Sequence, residues 1–365
     1  MTLDLLEGFT VGITADRRWE QQADLLQRRG ADVLHGPTMA TRYLSDTAGL
    51  QAATERVVQG VDYTVLTTGI GVRAWFEAAE AHGSAESLRR AIDRSRILCR
   101  GPKAAAALRV AGVRTEPARL SESLGELLKA DRLGEMSGRT VAFQHHGAAD
   151  GTWVSRLEAA QAAVIAVPVY RWELPPSMQA AERLVRGTCA GKVDAVTFTS
   201  APAVANLLRV ASDIGMAAPL RAAFNDGTAV AACVGPLCAA GAVEQGIHAP
   251  VAPEVGRLGL LVRVVAESLA RRTVRWNSGH TEIVLQGRAL AVGARSIRLS
   301  DTEKALLAAL AQKPGAVVAK PLLARRGATT TRGVEACVGR LRRRLEPLDV
   351  QLVQTVAMRG YRLAV

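Results

Sequence analysis

"VDYTVLTTGIGVRAWFEAA" (residues 61–79) returns, altered but in register, as "VDAVTFTSAPAVANLLRVA" (193–211). Val61 aligns with Val193, Asp62 with Asp194, Thr67 with Thr199 and Thr68 with Ser200. In each copy a short run rich in β-branched residues ends on hydroxyl side chains and passes into an amphipathic stretch, the pattern of a parallel strand followed by a crossover helix. A second pair of repeats interleaves with the first: "GFTVGITADRRWEQQADLLQRRGADVLHGP" (8–37) and "GRTVAFQHHGAADGTWVSRLEAAQAAVIAVP" (138–168), which share Gly8/Gly138, Thr10/Thr140 and Val11/Val141. The order A, B, A′, B′ predicts two similar α/β domains, each a parallel βαβ layer structure. Chain order leaves open which units pair. Extended segments around Pro37 and in "VPVYRW" (167–172) read as crossings between the domains.

Each B-type repeat is followed by a Gly-Pro turn, in "CRGPKAAAALRVAG" (99–112) and "CVGPLCAAGAVEQG" (233–246). Proline at the first helical position after Gly101 or Gly235 leaves helix N–H groups facing the C-terminal edge of a sheet, where anions bind. Neither turn is followed by a hydroxyl residue: Lys103-Ala104 and Leu237-Cys238 stand there. The same edge collects Thr14, Arg17, Thr67, Thr68, His145, His146, Thr199 and Ser200 as candidate ligand contacts. Arg17 reads equally as a surface ion-pair residue and as an anion contact. Lys103 could charge the anion site or lie on an exposed helix face. Thr68 and Ser200 stand at helix N-caps, which is compatible with touching a ligand. Adjacent histidines at a strand end point to opposite faces, and no partner stands at metal-ligand spacing, so neither a metal nor a cofactor is expected.

The 365 residues suffice for two or three domains, and 48% hydrophobic with 22% charged residues is an ordinary globular balance. The longest charge-free stretch, Gly227–Val243, contains a Gly-Pro turn and is shorter than the ~20 apolar residues of a spanning helix. The acidic start "MTLDLLEGFT" is unlike a signal peptide, and five cysteines without CxxC spacing fit a reducing cytoplasm. Charge is concentrated late: residues 277–365 hold 15 Lys and Arg against 6 Asp and Glu, a net +9 of the chain's +12. That asymmetry predicts a polyanion-binding C-terminal module.

After Arg272 the pattern changes. "TEIVLQGRALAVGARSIRLS" (281–300) reads as short antiparallel strands, "SDTEKALLAALAQKPG" (300–315) as a helix with a Ser300/Glu303 capping box, and "QLVQTVAMRGYRLAV" (351–365) as a hairpin. A short helix at 320–326 precedes a long one at about 330–345. Val334, Val338, Leu341 and Leu345 give the long helix one apolar face and leave arginines around the rest.

"LSDTEKALLAAL", "GRLRRRL" and "TVAMRGYRL" occur in the order and spacing of the winged-helix DNA-binding domain of OmpR-like response regulators, and residues 277–365 resemble it. The resemblance implies double-stranded promoter DNA as partner. It places Arg332, Gly333 and Cys337 near bases and Arg340 with Arg342 near bases or phosphate, counts Thr330, Thr331, Arg343 and Arg344 among the DNA-binding residues, and leaves Arg359 as the arginine of the wing. The body, residues 8–268, resembles uroporphyrinogen-III synthase through "FTSAPAV", "VGP", "VYR" and the interleaved duplication. That resemblance implies domain one from 1–37 and 171–268, domain two from 38–170, a linker at 269–280 and the winged helix at 281–365. It also implies a ligand cleft between the domains, with Tyr170 matching the tyrosine proposed to assist hydroxyl loss. Synthases carry threonine after both Gly-Pro-type turns, and here both are absent. The two-part layout is similar to actinobacterial regulators of nitrate and nitrite assimilation. The expected reading is a one-component regulator sensing a small anion or tetrapyrrole; the alternative is an active synthase with an appended DNA-binding domain. A homodimer on DNA and a second transcription activator stay open as further partners.

Overall fold

The computed structural model describes residues 3–45, 47–121, 123–145, 147, 151–326 and 330–365, and the chain divides into two units, 1–39 with 175–365 and 40–174. Unit one opens with β1 (Thr10–Ile13), α1 (Trp19–Gln27) and β2 (Asp32–His35). Unit two comprises β3 (Ala40–Tyr43), α2 (Ala48–Val58), β4 (Tyr63–Leu66), α3 (Gly69–Ala81), α4 (Ala85–Arg94), β5 (Arg96–Arg100), α5 (Pro102–Val110), β6 (Arg119–Ser121), α6 (Leu124–Leu127), α7 (Ala130–Glu135), β7 (Thr140–Gln144), α8 (Thr152–Ala159), β8 (Ala163–Val167) and β9 (Tyr170–Glu173). The chain then returns to unit one with α9 (Gln179–Cys189), β10 (Ala195–Phe198), α10 (Ala201–Asp213), α11 (Ala217–Asn225), β11 (Val230–Cys233), α12 (Pro236–Glu244) and α13 (Leu258–Ala270).

Each unit is built on a parallel sheet, in the order β2-β1-β10-β11 in unit one and β6-β5-β4-β7-β8 in unit two. The pairing left open by chain order is thereby resolved. β1 of repeat A lies beside β10 of repeat B′, and β4 of repeat B beside β7 of repeat A′. The aspartate common to both B-type repeats fixes this junction. Asp194 Oδ2 accepts Thr10 N at 2.9 Å, and Asp62 Oδ2 accepts Thr140 N at 2.8 Å. Each carboxylate thus satisfies an amide at the start of the neighbouring strand, a group that would otherwise lie beyond the ladder.

The chain passes between the units at 39/40 and 174/175, beside the extended segments at Pro37 and 167–172, and the adjoining strands pair as an antiparallel ribbon within unit two, β3 with β9 from Ala40↔Glu173 to Tyr43↔Tyr170. One expectation is corrected. Residues 269–280 are not a linker, because they hold the end of α13 and all of β12 (Val274–Ser278). β12 pairs with β13 (Thr281–Gln286) and buries Trp276, whereas a linker would leave both backbone and indole exposed to water.

The C-terminal part of unit one continues with β14 (Ala289–Val292), β15 (Arg295–Arg298), α14 (Asp301–Ala311), α15 (Lys320–Arg326), α16 (Thr331–Leu345), β16 (Val353–Val356) and β17 (Gly360–Leu363). β12 to β15 form an antiparallel meander and β16–β17 a hairpin. The capping box is present: Glu303 N donates to Ser300 Oγ and Ser300 N to Glu303 Oε2. Val334, Cys337, Val338, Leu341 and Leu345 of α16 pack with Leu306, Leu307 and Leu310 of α14 and with Tyr361 and Leu363. Truncating Leu341, fully buried at the centre of this cluster, is expected to cost about 2–5 kcal/mol. Thermal unfolding of the Leu341→Ala chain checks the loss, which would be near zero if the helix faced the other way.

Candidate functional site

In unit two the strand-to-helix turns converge on Gln144. β4 ends at Leu66, and the next two amides both donate to Gln144 Oε1, Thr67 N at 3.2 Å and Thr68 N at 3.4 Å. Thr67 Oγ1 donates to the Gln144 carbonyl at 3.0 Å, while Gln144 Nε2 donates to Thr68 Oγ1 at 3.2 Å and to the His145 carbonyl at 3.0 Å. Thr68 Oγ1 also accepts Gly71 N, as the N-cap of α3, and lies 3.3 Å from the Tyr170 hydroxyl. With both lone pairs of Thr68 occupied, its hydroxyl hydrogen is directed at Tyr170.

Arg100, the last residue of β5, brings a half-buried cation beside Tyr170; burial lowers its pKa and the tyrosine pulls it back. Next comes Gly101 at φ +78°, a conformation that suits glycine, with Pro102 at the first turn of α5. The "GIG" of α3 has a packing reason. A Cβ on Gly69 would stand 2.3 Å from the Lys103 carbonyl oxygen, and one on Gly71 would stand 1.7 Å from Gln144 Nε2.

Thr67, Thr68 and Tyr170 are therefore brought together as expected residues of one edge. Lys103 is exposed on α5, and half-buried His145 sits edge-on to Phe143 with ring centroids 5.8 Å apart. His146 lies outside the described residues. Sequence reasoning missed Gln144 and Arg100. The signal for Gln144 was present, since a polar residue closes the apolar run "TVAF" at a position buried on both faces of a parallel sheet.

Unit one uses the corresponding edge differently. Thr14, in the repeat position of Gln144, donates to the Thr197 carbonyl at 2.7 Å and so clamps β1 to β10. Ser200 caps α10 by accepting Ala203 N at 3.4 Å; Thr199 and Arg17 are exposed. Buried Gly235 precedes α12 as N-cap. Behind that turn the buried Cys238 thiol donates to the Phe198 carbonyl at 3.6 Å, and buried Cys233 ends β11.

The arginine cluster of α16 divides into two sets. Arg332, Arg340 and Arg343 are exposed, and Arg332 and Arg343, eleven residues apart, share one helix face. Arg342, exposed as well, is tied down by its guanidinium, which donates through Nη2 to the Val353 carbonyl at 2.8 Å and to Thr355 Oγ1 at 2.8 Å and so braces the hairpin. Arg344 pairs with buried Glu303 at 2.7 Å and also donates to the Arg298 carbonyl. Thr330 caps α16 by accepting Gly333 N at 3.1 Å, Thr331 is exposed beside it, and Arg359 is exposed at the hairpin tip. Cys337, expected near bases, is fully buried, because its position three residues after Val334 falls on the apolar face.

Gln144→Leu would leave the Thr67 and Thr68 amides without their acceptor, at about 1–3 kcal/mol for each buried unmet group. The expected outcome is a lowered thermal midpoint. A midpoint equal to that of the unsubstituted chain would deny the glutamine its organising place.

Comparison with known proteins agrees with this architecture. Residues 20–262 match the family described as uroporphyrinogen-III synthase HemD, and residues 294–363 match the family described as transcriptional regulatory protein, C terminal. A Bacillus subtilis (strain 168) protein described as uncharacterized protein YjjA is 29% identical over 262 residues, covering 72% of this chain and 96% of its own length. A mutant uroporphyrinogen III synthase from the extremely thermophilic bacterium Thermus thermophilus superposes with TM-score 0.60 at 28% identity, over 72% of this chain and 99% of the enzyme. A wild-type crystal form of that enzyme gives TM-score 0.49 at 28% identity, over 72% and 98%. The chain belongs to the uroporphyrinogen-III synthase HemD family, and it joins that body to a C-terminal transcriptional regulatory domain of winged-helix type.

Proposed function

We propose that the chain is a one-component transcriptional regulator, in which the synthase-like body binds a small anionic ligand and the winged helix binds promoter DNA. The observation that carries this reading is the presence of a transcriptional regulatory domain, residues 294–363, on the same chain as the synthase-family body. Three features support it. The exposed Arg332, Arg340 and Arg343 suit a polyanion. In unit two, Arg100 and the helix end after Gly101 suit an anion or carboxylate at the edge organised by Gln144. The two Gly-Pro turns lack the hydroxyl residues of the synthases, which favours recognition over turnover.

Nitrate, nitrite and a carboxylate-bearing tetrapyrrole are the ligands proposed, with nitrate and nitrite assimilation genes as targets and the cytoplasm as the place of action. Among the described residues no helix is long and apolar enough to cross a membrane. Dimerisation on DNA and recruitment of a second activator belong to the same proposal.

A second reading, catalysis, is favoured by one contact: Thr68 remains 3.3 Å from the Tyr170 hydroxyl. Supplying hydroxymethylbilane decides between the two. Only spontaneous isomer I is expected, and isomer III at an enzymatic rate would establish the synthase.

For DNA, Arg340→Ala and Arg343→Ala should each weaken promoter binding and reduce the logarithmic salt slope by about 1, with the thermal midpoint unchanged. Arg342→Ala and Arg344→Ala should lower the midpoint as well, because their partners lie inside the domain. Unchanged affinity in both the Arg340 and Arg343 variants would remove α16 from the DNA interface. Titration with nitrate, nitrite and uroporphyrin should shift thermal stability or promoter affinity for at least one; no shift for any of them defeats the sensing reading.

A further inference from the structure

Asp62 and Asp194 occupy one position in the duplicated repeat, and each pins the neighbouring strand through Oδ2. Their remaining oxygens differ. The Asp62 side chain is 39% exposed, with Oδ1 3.4 Å from Arg139 of its own unit. The Asp194 side chain is 7% exposed, and its Oδ1 lies 2.7 Å from Nζ of Lys304, on the first turn of α14. The winged helix makes the difference between the two copies.

The contact extends along the strand starts of unit one. Before β1, the Gly8 carbonyl accepts Arg288 N at 2.7 Å, and a Cβ on Gly8 would stand 2.4 Å from Ala289 N. Gln286 Nε2 donates to the carbonyls of Asp4 and Glu7 at 2.8 and 3.0 Å. At β2, Asp32 pairs with Arg298; before β11, the Thr228 carbonyl accepts Arg272 Nη1 at 3.1 Å. Lys192, ahead of β10, lies 3.5 Å from Asp301. The starts of β1, β2 and β10 are thus met by residues of the winged helix, and that of β11 by Arg272, which follows the C-cap of α13. The other end of the same sheet carries Thr14, Ser200 and Gly235.

We propose that the winged helix is docked on this edge and not merely tethered, and that Asp194–Lys304 is the latch through which the sheet of unit one sets the position of α16. The latch has a direct continuation. Lys304 is the sequence neighbour of Glu303, whose buried carboxylate holds Arg344 of α16 at 2.7 Å. Adjacent residues on one helix therefore grip the body on one side and the recognition helix on the other. Exposed Arg332, Arg340 and Arg343 of α16 make none of the contacts just named. Removing Lys304 would cost the buried Asp194 carboxylate its ion pair and leave it only the Thr10 amide and the charge of nearby Arg272, a loss the exposed Asp62 does not face.

The test uses the full chain with Lys304→Met, Asp194→Asn and, as internal control, Asp62→Asn. Two readouts are followed: tryptic release of the C-terminal domain at Arg271–Arg272, and hydrogen exchange of the β10 and α16 amides. Lys304→Met and Asp194→Asn should speed release at least tenfold and raise exchange in β10 and α16 together. Asp62→Asn should match the unsubstituted chain, and Lys304→Arg should restore slow release. Retained affinity of Lys304→Met for promoter DNA shows that its winged helix is folded. A variant that has lost DNA binding is replaced by Asp194→Asn, which leaves α14 untouched. Release and exchange at unsubstituted rates in both latch variants overturn the proposal. Equal effects of Asp62→Asn and Asp194→Asn also overturn it, because the strand pin shared by both copies would then explain them.

Discussion

A parallel sheet built from repeated strand–helix units has two unlike edges, and the organisation of this protein depends on that asymmetry. Every strand-to-helix turn is delivered to the C-terminal edge, together with the amide ends of the following helices. Every strand start is delivered to the opposite edge, where backbone groups lie beyond the ladder and need partners. The duplicated aspartate answers that need in both units, by accepting Thr10 N in one and Thr140 N in the other. Once the strand starts are pinned, the C-terminal edge can carry a polar network. In unit two Gln144 organises it by holding Thr67, Thr68 and, through Thr68, Tyr170.

Much of the fold was legible because duplication provides its own alignment. Two α/β units and parallel sheets followed from runs such as "YTVLTT" and "AVTFTS", and the individual C-terminal helices from the capping box and the 4-3-4 spacing of Val334, Val338, Leu341 and Leu345, whereas the winged helix itself came from the resemblance of "LSDTEKALLAAL", "GRLRRRL" and "TVAMRGYRL" to OmpR-like regulators. The parts that escaped have physical causes. Pairing of β1 with β10 and of β4 with β7 is a long-range choice on which the local pattern is silent. The β3–β9 ribbon joins residues about 130 apart, and each half alone reads only as an extended stretch with a proline nearby. β12 was hidden because "TVRWNS" has no length of its own and becomes a strand only against β13.

The site was legible by residue type more than by role. Hydroxyls at the strand ends were placed correctly in the chain, yet Thr14 is consumed in tying β1 to β10, while its repeat equivalent Gln144 organises the turn in unit two. One position in two copies has thus been put to two uses, and only the identity of the side chain separates them. A threonine reaches one carbonyl; a glutamine reaches two amides and offers two donors in return.

The arginines of α16 make the same point about charge. Composition counts them as one basic face, but Arg342 and Arg344 form hydrogen bonds within the domain, to Val353 and Thr355 in one case and to Glu303 in the other. Their positive charge helps hold helix, hairpin and α14 in one orientation, leaving Arg332, Arg340 and Arg343 to face outward. A rigid support of this kind is what an interface with a polyanion requires, since side chains fixed relative to one another lose less freedom on binding. Because Glu303, which anchors Arg344, adjoins the lysine that reaches Asp194, the orientation of the outward arginines is tied through α14 to the strand starts of the synthase-like sheet.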